Sequence, residues 1–516
     1  MDTIVILDFG SQYTQLIARR VRELGVYSEI VSGTTTLEHF MNPSVRGIIL
    51  SGSPFSVYEE GSPRPDRAVY NAGVPVLGIC YGAQSITRDY GGKVQKLPDR
   101  EYGSRPVLVE GEDPLFEKVA PRFVSWMSHG DSIETVPDGF SVLAKTDNGI
   151  PAVIRNERGT VYGIQFHPEV THCEFGMQIL LNFIGTICSC KREWSMKAYM
   201  DDLGTRLRKT VGSTPLVLLI SGGVDSTVAG ALLLKLFPAE QVYLLYIDTG
   251  LMRNAETEEV ITTLNTLGAK NIQIIHAEEE FLGALAGKAD PEEKRKIIGN
   301  LFVTVQESAV NSVHLKDYIL VQGTLYTDLI ESGKGVGKHA QVIKSHHNVR
   351  APLIEKKRNE GKLVEPLDRL YKDEVRTLGR ELGLAPHIVN RHPFPGPGLA
   401  VRIIGDITRE KCELLRAVDR LFIDFLHEKN LYGKIWQAFA VLLPVKSVGV
   451  AGDERKYGYT IALRAVESHD GMTADVFEFS MKDLKELSSL ITNRIPEVGR
   501  VVYDISSKPP ATIEWE

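Results

Sequence analysis

The chain has 516 residues, of which 43% are hydrophobic and 24% charged, and carries a net charge of -7. One core rarely grows that large, so roughly two to four domains are expected, and the acidic balance argues against nucleic-acid or anionic-membrane partners. No apolar run approaches the ~20 residues of a membrane span, and five irregularly spaced cysteines, Cys80, Cys173, Cys188, Cys190 and Cys412, argue against a disulfide scaffold and for a cytoplasmic setting.

Residues 3–7 are an apolar run that predicts a first β-strand rather than a signal peptide, and 12–24 has helical spacing. Residues 47–50 and 74–79 predict further buried strands, each ending in a glycine-containing turn. That pattern fits a parallel sheet covered by helices. From 107 to 164 the chain turns β-rich, with turns at Pro137-Asp138-Gly139 and Asp147-Asn148-Gly149, and 175–187 reads as a closing helix. The charged, helical stretch 191–210 is the expected connector. A second α/β pattern begins at Pro215, with strands at 216–220, 241–247, 271–275 and 318–322 and helices at 230–237 and 256–267. The run His392-Pro393-Phe394-Pro395-Gly396-Pro397-Gly398 sustains neither helix nor strand, so a boundary is placed there. Beyond it, a helix at 410–428 mixes with strands at 459–466 and 500–506. The expected architecture is α/β: two doubly wound α/β domains over 1–190 and 191–391, then a smaller α+β domain over 392–516.

The first chemical signal is Gly78-Ile79-Cys80-Tyr81-Gly82-Ala83-Gln84, a strand, a cysteine and a helix start. It is the cysteine analogue of the serine nucleophile elbow: a sharp turn exposes the side chain, and small neighbours let the backbone close tightly. The helix start favours negative charge on the sulfur. Alone, Cys80 would read as a buried structural cysteine. It gains a partner in Phe166-His167-Pro168-Glu169, where His167 and Glu169 are two apart and share a face in extended backbone. A carboxylate beside an imidazole fixes its tautomer and stabilises its charged form. After the strand at 47–50, the turn Ser51-Gly52-Ser53-Pro54 offers a backbone N–H at Gly52 as one oxyanion donor, with that of Tyr81 as the second. Together G-x-C-x-G-x-Q and F-H-P-E resemble the class I, triad-type glutamine amidotransferases. The resemblance implies that Cys80 attacks a glutamine carboxamide to form a thioester and that His167 shuttles the protons. Gln84 would line the glutamine pocket, and Asp131, in Trp126-Met127-Ser128-His129-Gly130-Asp131, would face the α-amino group.

The second signal is Ser221-Gly222-Gly223-Val224-Asp225-Ser226-Thr227, a glycine-rich loop between a strand and a helix. Such loops wrap backbone N–H groups around phosphate oxygens at a helix N-terminus. It is not a Walker A loop, which needs G-x-x-x-x-G-K-[ST]. S-G-G-x-D-S instead resembles the N-type ATP pyrophosphatases, which implies that Ser221, Gly222, Gly223, Val224, Asp225, Ser226 and Thr227 grip the departing pyrophosphate and that Asp225 assists with Mg²⁺. Ile247-Asp248-Thr249-Gly250 ends the next strand, where a nucleotide would meet the sheet. Asp328 and Glu331 could add carboxylates, Lys344 a phosphate contact, and 333–362 a charged lid; the His346-His347 pair lacks an evident third metal ligand.

Over the whole chain, in the same order, these features resemble the glutamine-hydrolysing GMP synthases, whose closing domain carries motifs like Arg391-His392-Pro393-Phe394-Pro395-Gly396-Pro397-Gly398-Leu399 and Lys508-Pro509-Pro510-Ala511-Thr512-Ile513-Glu514-Trp515-Glu516. The resemblance implies glutamine, ATP and xanthosine monophosphate as small-molecule substrates and a homodimer through residues beyond about 400. It implies no organic prosthetic group, nucleic acid or membrane. Lys508 and Arg295 would meet the nucleotide phosphate and Glu514 the base or ribose. The segment 349–362 is longer and more charged than the short Gly-Gly loop of commoner bacterial members. Two rivals are another synthetase of this build, for NAD or asparagine, and a catalytically silent scaffold. The terminal motif argues against the first, the intact cysteine and glycine motifs against the second.

Overall fold

The computed structural model describes the chain apart from residues 332–351, 452–453 and 469–472. It divides into two units, one of Met1–Asp202 with Thr327–Ser345, the other of Leu203–Tyr326 with His346–Glu516.

Among the described residues the first unit holds nine strands: β1 (Thr3–Asp8), β2 (Tyr27–Ser32), β3 (Val45–Leu50), β4 (Val76–Ile79), β5 (Lys93–Val109), β6 (Arg122–Thr135), β7 (Phe140–Thr146), β8 (Pro151–Asn156) and β9 (Val161–Ile164). They form one sheet in the order β2-β1-β3-β4-β9-β8-β7-β5-β6. The half from β2 to β9 is parallel, and the remainder antiparallel. β3, β4 and β9 are buried along nearly their whole length, as parallel strands covered on both faces must be. Their register sets Leu50 beside Gly78 and Ile79 beside Ile164, so the loops that follow all three open at one end of the sheet. The closing helix is Gly176–Leu181, continued by a wider π turn over Asn182–Ile187.

Among the described residues the second unit holds two sheets. β10 (Leu216–Ile220), β11 (Val242–Asp248), β12 (Asn271–His276), β13 (Ile319–Val321) and β14 (Leu363–Val364) run parallel in the order β12-β11-β10-β13-β14. The order reverses between β10 and β13, the switch point at which open α/β sheets bind ligands. β14 lies just past the stretch expected as lid; its two residues pair with β13 because the helix Pro352–Asn359 returns the chain to that edge. The helix Val224–Leu236 after β10 is apolar nearly all round, which suits burial on several sides, and it ends before Pro238.

The other sheet is a long hairpin, β15 (Gln437–Ala451) with β16 (Glu454–Glu467), extended by β17 (Asp475–Val476) and by β18 (Val498–Tyr503), which runs parallel to β16. Helices Arg409–Glu428 and Met481–Arg494 pack on it through Leu415, Phe422, Phe425, Leu487 and Ile491. The proline-rich run 392–398 lies within the second unit. One apolar cluster joins Ile247 and Phe281 of the parallel-sheet region to Leu399, Leu415 and Leu463. Phe394 is stacked on by the guanidinium of Arg253, 4.3 Å from the ring centre.

His392 is held at both ring nitrogens. The backbone N–H of Ala438 donates to Nδ1 at 3.2 Å, and Nε2 lies 3.0 Å from the carbonyl of Tyr432, whose ring stacks on the imidazole at 3.8 Å. Only the neutral ring satisfies both bonds, and burial drives its pKa from the usual 6.5 down to about 4. The unfolded chain therefore takes up this proton first as the pH falls. Stability of the second unit is expected to drop from about pH 6.5 to about pH 4 by roughly 3 kcal/mol from this residue. Denaturant titrations of the parent and of His392→Gln across that window measure it. An equal pH slope in both would refute the assignment.

Candidate functional site

In the first unit Cys80 sits between β4 and the helix Tyr81–Asp89 with φ 53° and ψ -105°. A side-chain-bearing residue at positive φ costs roughly 1–3 kcal/mol, so its surroundings must enforce it. They do so by closeness. A Cβ on Gly78 would lie 2.4 Å from the carbonyl carbon of Gly82, and one on Gly82 would lie 2.4 Å from the carbonyl oxygen of Leu50. The Cys80 N–H donates to the Ile164 carbonyl at 2.7 Å and that of Gly82 to Ser51 at 3.1 Å, tying the elbow to both neighbouring strand ends.

His167 and Glu169 lie past the end of β9 rather than in extended backbone. The chain bends around Pro168, and the side chains still meet, with Nδ1 2.7 Å from Oε1. Both are buried, at 4% and 0% side-chain exposure. The His167 backbone is fixed by the Trp126 carbonyl at 3.0 Å, and the Glu169 carbonyl accepts from Arg20 Nε at 2.9 Å. Burial works against the charged ring, but the Glu169 carboxylate and the Cys80 sulfur outweigh it and hold His167 well above the ordinary histidine range. Gly52 closes the other side: a Cβ there would meet the His167 ring carbon Cε1 at 3.6 Å. Among the described residues, the N–H groups of Gly52 and Tyr81 donate to no protein acceptor. The Tyr81 hydroxyl points away, to the Pro63 carbonyl at 2.6 Å. The Asp131 carboxylate accepts from Ser56 at 2.5 Å, and Gln84 Nε2 donates to the Asp131 carbonyl at 2.7 Å. Sequence reasoning missed Gln165, 1% exposed, whose Nε2 lies 3.9 Å from the Cys80 sulfur. A polar side chain at the end of an otherwise apolar strand was the available signal.

In the second unit the glycine loop follows β10. Gly222 has φ 78°, which favours glycine there. Ser221 Oγ bonds Ser226 Oγ at 3.1 Å, and the Ser226 and Thr227 hydroxyls both donate to the Gly223 carbonyl, at 3.1 and 2.9 Å. These bonds shape a cradle at the N-terminus of the helix that starts at Val224. Asp225 Oδ2 accepts from Lys372 Nζ at 2.5 Å, while Oδ1 is buried without a protein partner among the described residues. Arg391 braces the loop from outside, donating to the Gly222 carbonyl at 3.3 Å, to Glu256 at 3.1 Å and to Glu259 at 2.6 Å. Neither Lys372 nor the bracing by Arg391 was foreseen. Asp248, at the end of β11, accepts from Gly250 N at 3.0 Å and from Thr257 at 3.2 Å. Asp328 and Glu331 lie on the helix Tyr326–Glu331. Lys344, the His346-His347 pair and most of the expected lid fall outside the described residues.

Asn390 and His392, flanking Arg391, line a cavity of about 1060 Å³ together with Arg376, Lys434, Trp436 and Lys508. Glu514 is not among its walls. Its carboxylate accepts a two-pronged bond from Arg402, at 3.0 and 2.8 Å, and one from Gln437 at 2.7 Å. Arg464, 0% exposed, donates to the carbonyls of Ser506, Thr512 and Ile513, and Lys294, equally buried, reaches Glu516 at 2.5 Å. Three buried cations thus clamp the terminal segment. Arg295 is on the half-buried face of the helix Pro291–Ser312 and pairs with Glu292. No helix among the described residues is long and apolar enough to cross a membrane.

Comparison with known proteins places these features in families. A glutamine amidotransferase class-I profile matches residues 5–186, an NAD synthase profile residues 196–326, and a GMP synthase C terminal domain profile residues 424–515. The chain is 50% identical to the GMP synthase [glutamine-hydrolyzing] of Aquifex aeolicus (strain VF5), over 99% of each chain. It is 48% identical to that of Thermosipho africanus (strain TCF52B), over 100% of each. A solved structure of a glutamine amidotransferase from Thermotoga maritima covers 40% of this chain and 85% of its own, at 17% identity and a TM-score of 0.27.

Proposed function

The chain belongs to the family of glutamine-hydrolysing GMP synthases, and from that membership we propose that it makes GMP by joining two chemistries, one in each unit. The first unit frees ammonia from glutamine. The second uses ATP to prepare xanthosine monophosphate for it. The observation that carries the first half is the buried His167–Glu169 pair at 2.7 Å beside a cysteine held in a strained elbow.

In this reading the proton of Cys80 passes to His167, whose charged ring is stabilised by Glu169. The thiolate attacks the carboxamide carbon of glutamine, and the N–H groups of Gly52 and Tyr81 receive the negative oxygen. His167 returns the proton to the leaving nitrogen, ammonia departs, and water then hydrolyses the γ-glutamyl thioester with His167 as base. Gln84 shapes the pocket wall and Asp131 receives the substrate's α-ammonium group.

In the second unit the loop from Ser221 to Thr227 receives the β- and γ-phosphates. O2 of xanthosine monophosphate attacks the α-phosphorus, pyrophosphate leaves into the loop, and the adenylyl intermediate forms. Ammonia then displaces AMP, a far better leaving group than an oxide, and GMP results. The free buried oxygen of Asp225 suits a hard cation whose other ligands are phosphates and water, so Asp225 would hold Mg²⁺ there. Such an ion neutralises charge on the departing pyrophosphate. Lys344 adds a phosphate contact. The cavity bearing Arg376, Lys434, Trp436 and Lys508 supports a site for a phosphate-bearing purine, with Arg295 a further cation for its phosphate and Glu514 acting on the base or ribose through the tail it anchors. The exposed Val445, Val448 and Tyr457 of the β15–β16 hairpin support a homodimer through this region. The domain limits 1–190, 191–391 and 392–516 accompany this division of labour.

The reading is tested by following GMP formation from xanthosine monophosphate, ATP and glutamine. Asp225→Ala is expected to lower pyrophosphate release by roughly 10³-fold with either glutamine or ammonium as nitrogen source, because both need the adenylyl step. Unchanged pyrophosphate release would contradict the role of the loop.

A further inference from the structure

Around the Cys80 sulfur the structure supplies a second hydrogen-bond donor besides the imidazole. Gln165 lies one residue past β9 and is 1% exposed, and its carboxamide nitrogen faces the sulfur at 3.9 Å. Its carbonyl oxygen is gripped from the other side by Gln84 Nε2 at 3.4 Å, and the same Gln84 nitrogen is anchored on the Asp131 carbonyl at 2.7 Å. The grip orients the amide: with Oε1 turned to Gln84, the NH₂ must point at Cys80. The backbone N–H of Gln165 donates to the Ala152 carbonyl at 2.9 Å, which fixes the main chain from which the side chain reaches the sulfur. Besides His167, the Ser128 carbonyl lies 4.0 Å from the sulfur as an acceptor, which suits a neutral S–H but repels a thiolate.

We propose that Gln165 is a positioning residue for the nucleophile: its carboxamide, aimed by Gln84, donates to the Cys80 sulfur and favours the thiolate over the thiol turned toward Ser128. The inference rests on Cys80 being the nucleophile and deepens that reading. When the proton of Cys80 passes to His167, no bond other than S–H is broken, and the amide bond to sulfur strengthens as charge gathers there. The titratable groups around the sulfur are His167, with Glu169 behind it, and, on β6 beside Ser128, His129 and Asp131.

The test uses the full-length enzyme and alkylation of Cys80 by iodoacetamide, followed by mass spectrometry of the peptide that carries it. Gln165→Leu is expected to slow alkylation about tenfold near pH 7 and to match the parent near about pH 10, where any accessible thiol is ionised. Gln165→Glu, which sets an acceptor against the sulfur, is expected to slow it further, and Gln84→Leu to slow it less. With glutamine as substrate, kcat of Gln165→Leu falls while its KM changes little. Circular dichroism and the thermal unfolding transition of the full-length enzyme report that the first unit of each variant is folded, and Gln165→Met replaces a Leu variant that is not. Equal alkylation of parent and Gln165→Leu near neutral pH overturns the proposal, as does a loss that persists at high pH, which would mean blocked access. Glutaminase activity surviving in Cys80→Ala would instead sink the nucleophile assignment, whatever the alkylation rates.

Discussion

Cys80→Ala is expected to lower glutamine-dependent GMP formation by about 10⁴-fold or more, because no neighbouring group can form the thioester in its place. Every other part of the site, from the His167–Glu169 pair to the free N–H groups of Gly52 and Tyr81, would remain, but in the proposed mechanism these assist an attack that only the Cys80 sulfur makes. Formation of GMP from added ammonium is expected to persist, since the adenylyl chemistry is proposed for the other unit. Parallel assays with the two nitrogen sources read the split directly. Equal loss of both activities would mean that Cys80 supports the fold or the synthetase chemistry and is not the source of nitrogen.

Glu514→Ala is expected to cost about 3–5 kcal/mol of stability in the second unit, since it strands the guanidinium of Arg402, which is 1% exposed and answered by no other carboxylate among the described residues. The faces of Phe394 and Phe439, 4.9 and 4.1 Å from that cation, offset only part of the loss. Glu514→Gln keeps an acceptor for Arg402 and is expected to lose less. Chemical denaturation with a probe in the second unit, such as Trp515, reads the difference. A variant as stable as the parent but weakened for xanthosine monophosphate would return Glu514 to direct contact with the nucleotide.

Both proposed sites are legible in the sequence to the extent that each is local. Cys80 stands between Gly78 and Gly82 because an elbow needs backbone approach closer than a Cβ permits, and such a need leaves its mark within five residues. The loop from Ser221 to Thr227 is equally local: its hydroxyls bond its own carbonyls. His167 and Glu169 were recognisable as a pair, although the extended geometry expected for them gave way to a bend at Pro168. The strand β14 was missed because two residues carry no periodicity. The proline-rich run reads as a boundary because prolines end local structure, and around it Arg253 stacks on Phe394 while Leu399 is buried in a cluster shared with Phe281.

By itself the sequence determined the strand-and-helix alternation, the two chemical motifs and the acidic, cysteine-poor character of the chain, all of which follow from spacing over a few residues. Only the tertiary structure decided which distant groups converge on them. Gln165 meets Cys80 across 85 positions, Lys372 meets Asp225 across 147, and Arg402 meets Glu514 across 112. Such pairs leave no periodic trace, because burial of an ion or an amide is satisfied by whichever partner the packing of strands and helices brings within about 3–4 Å.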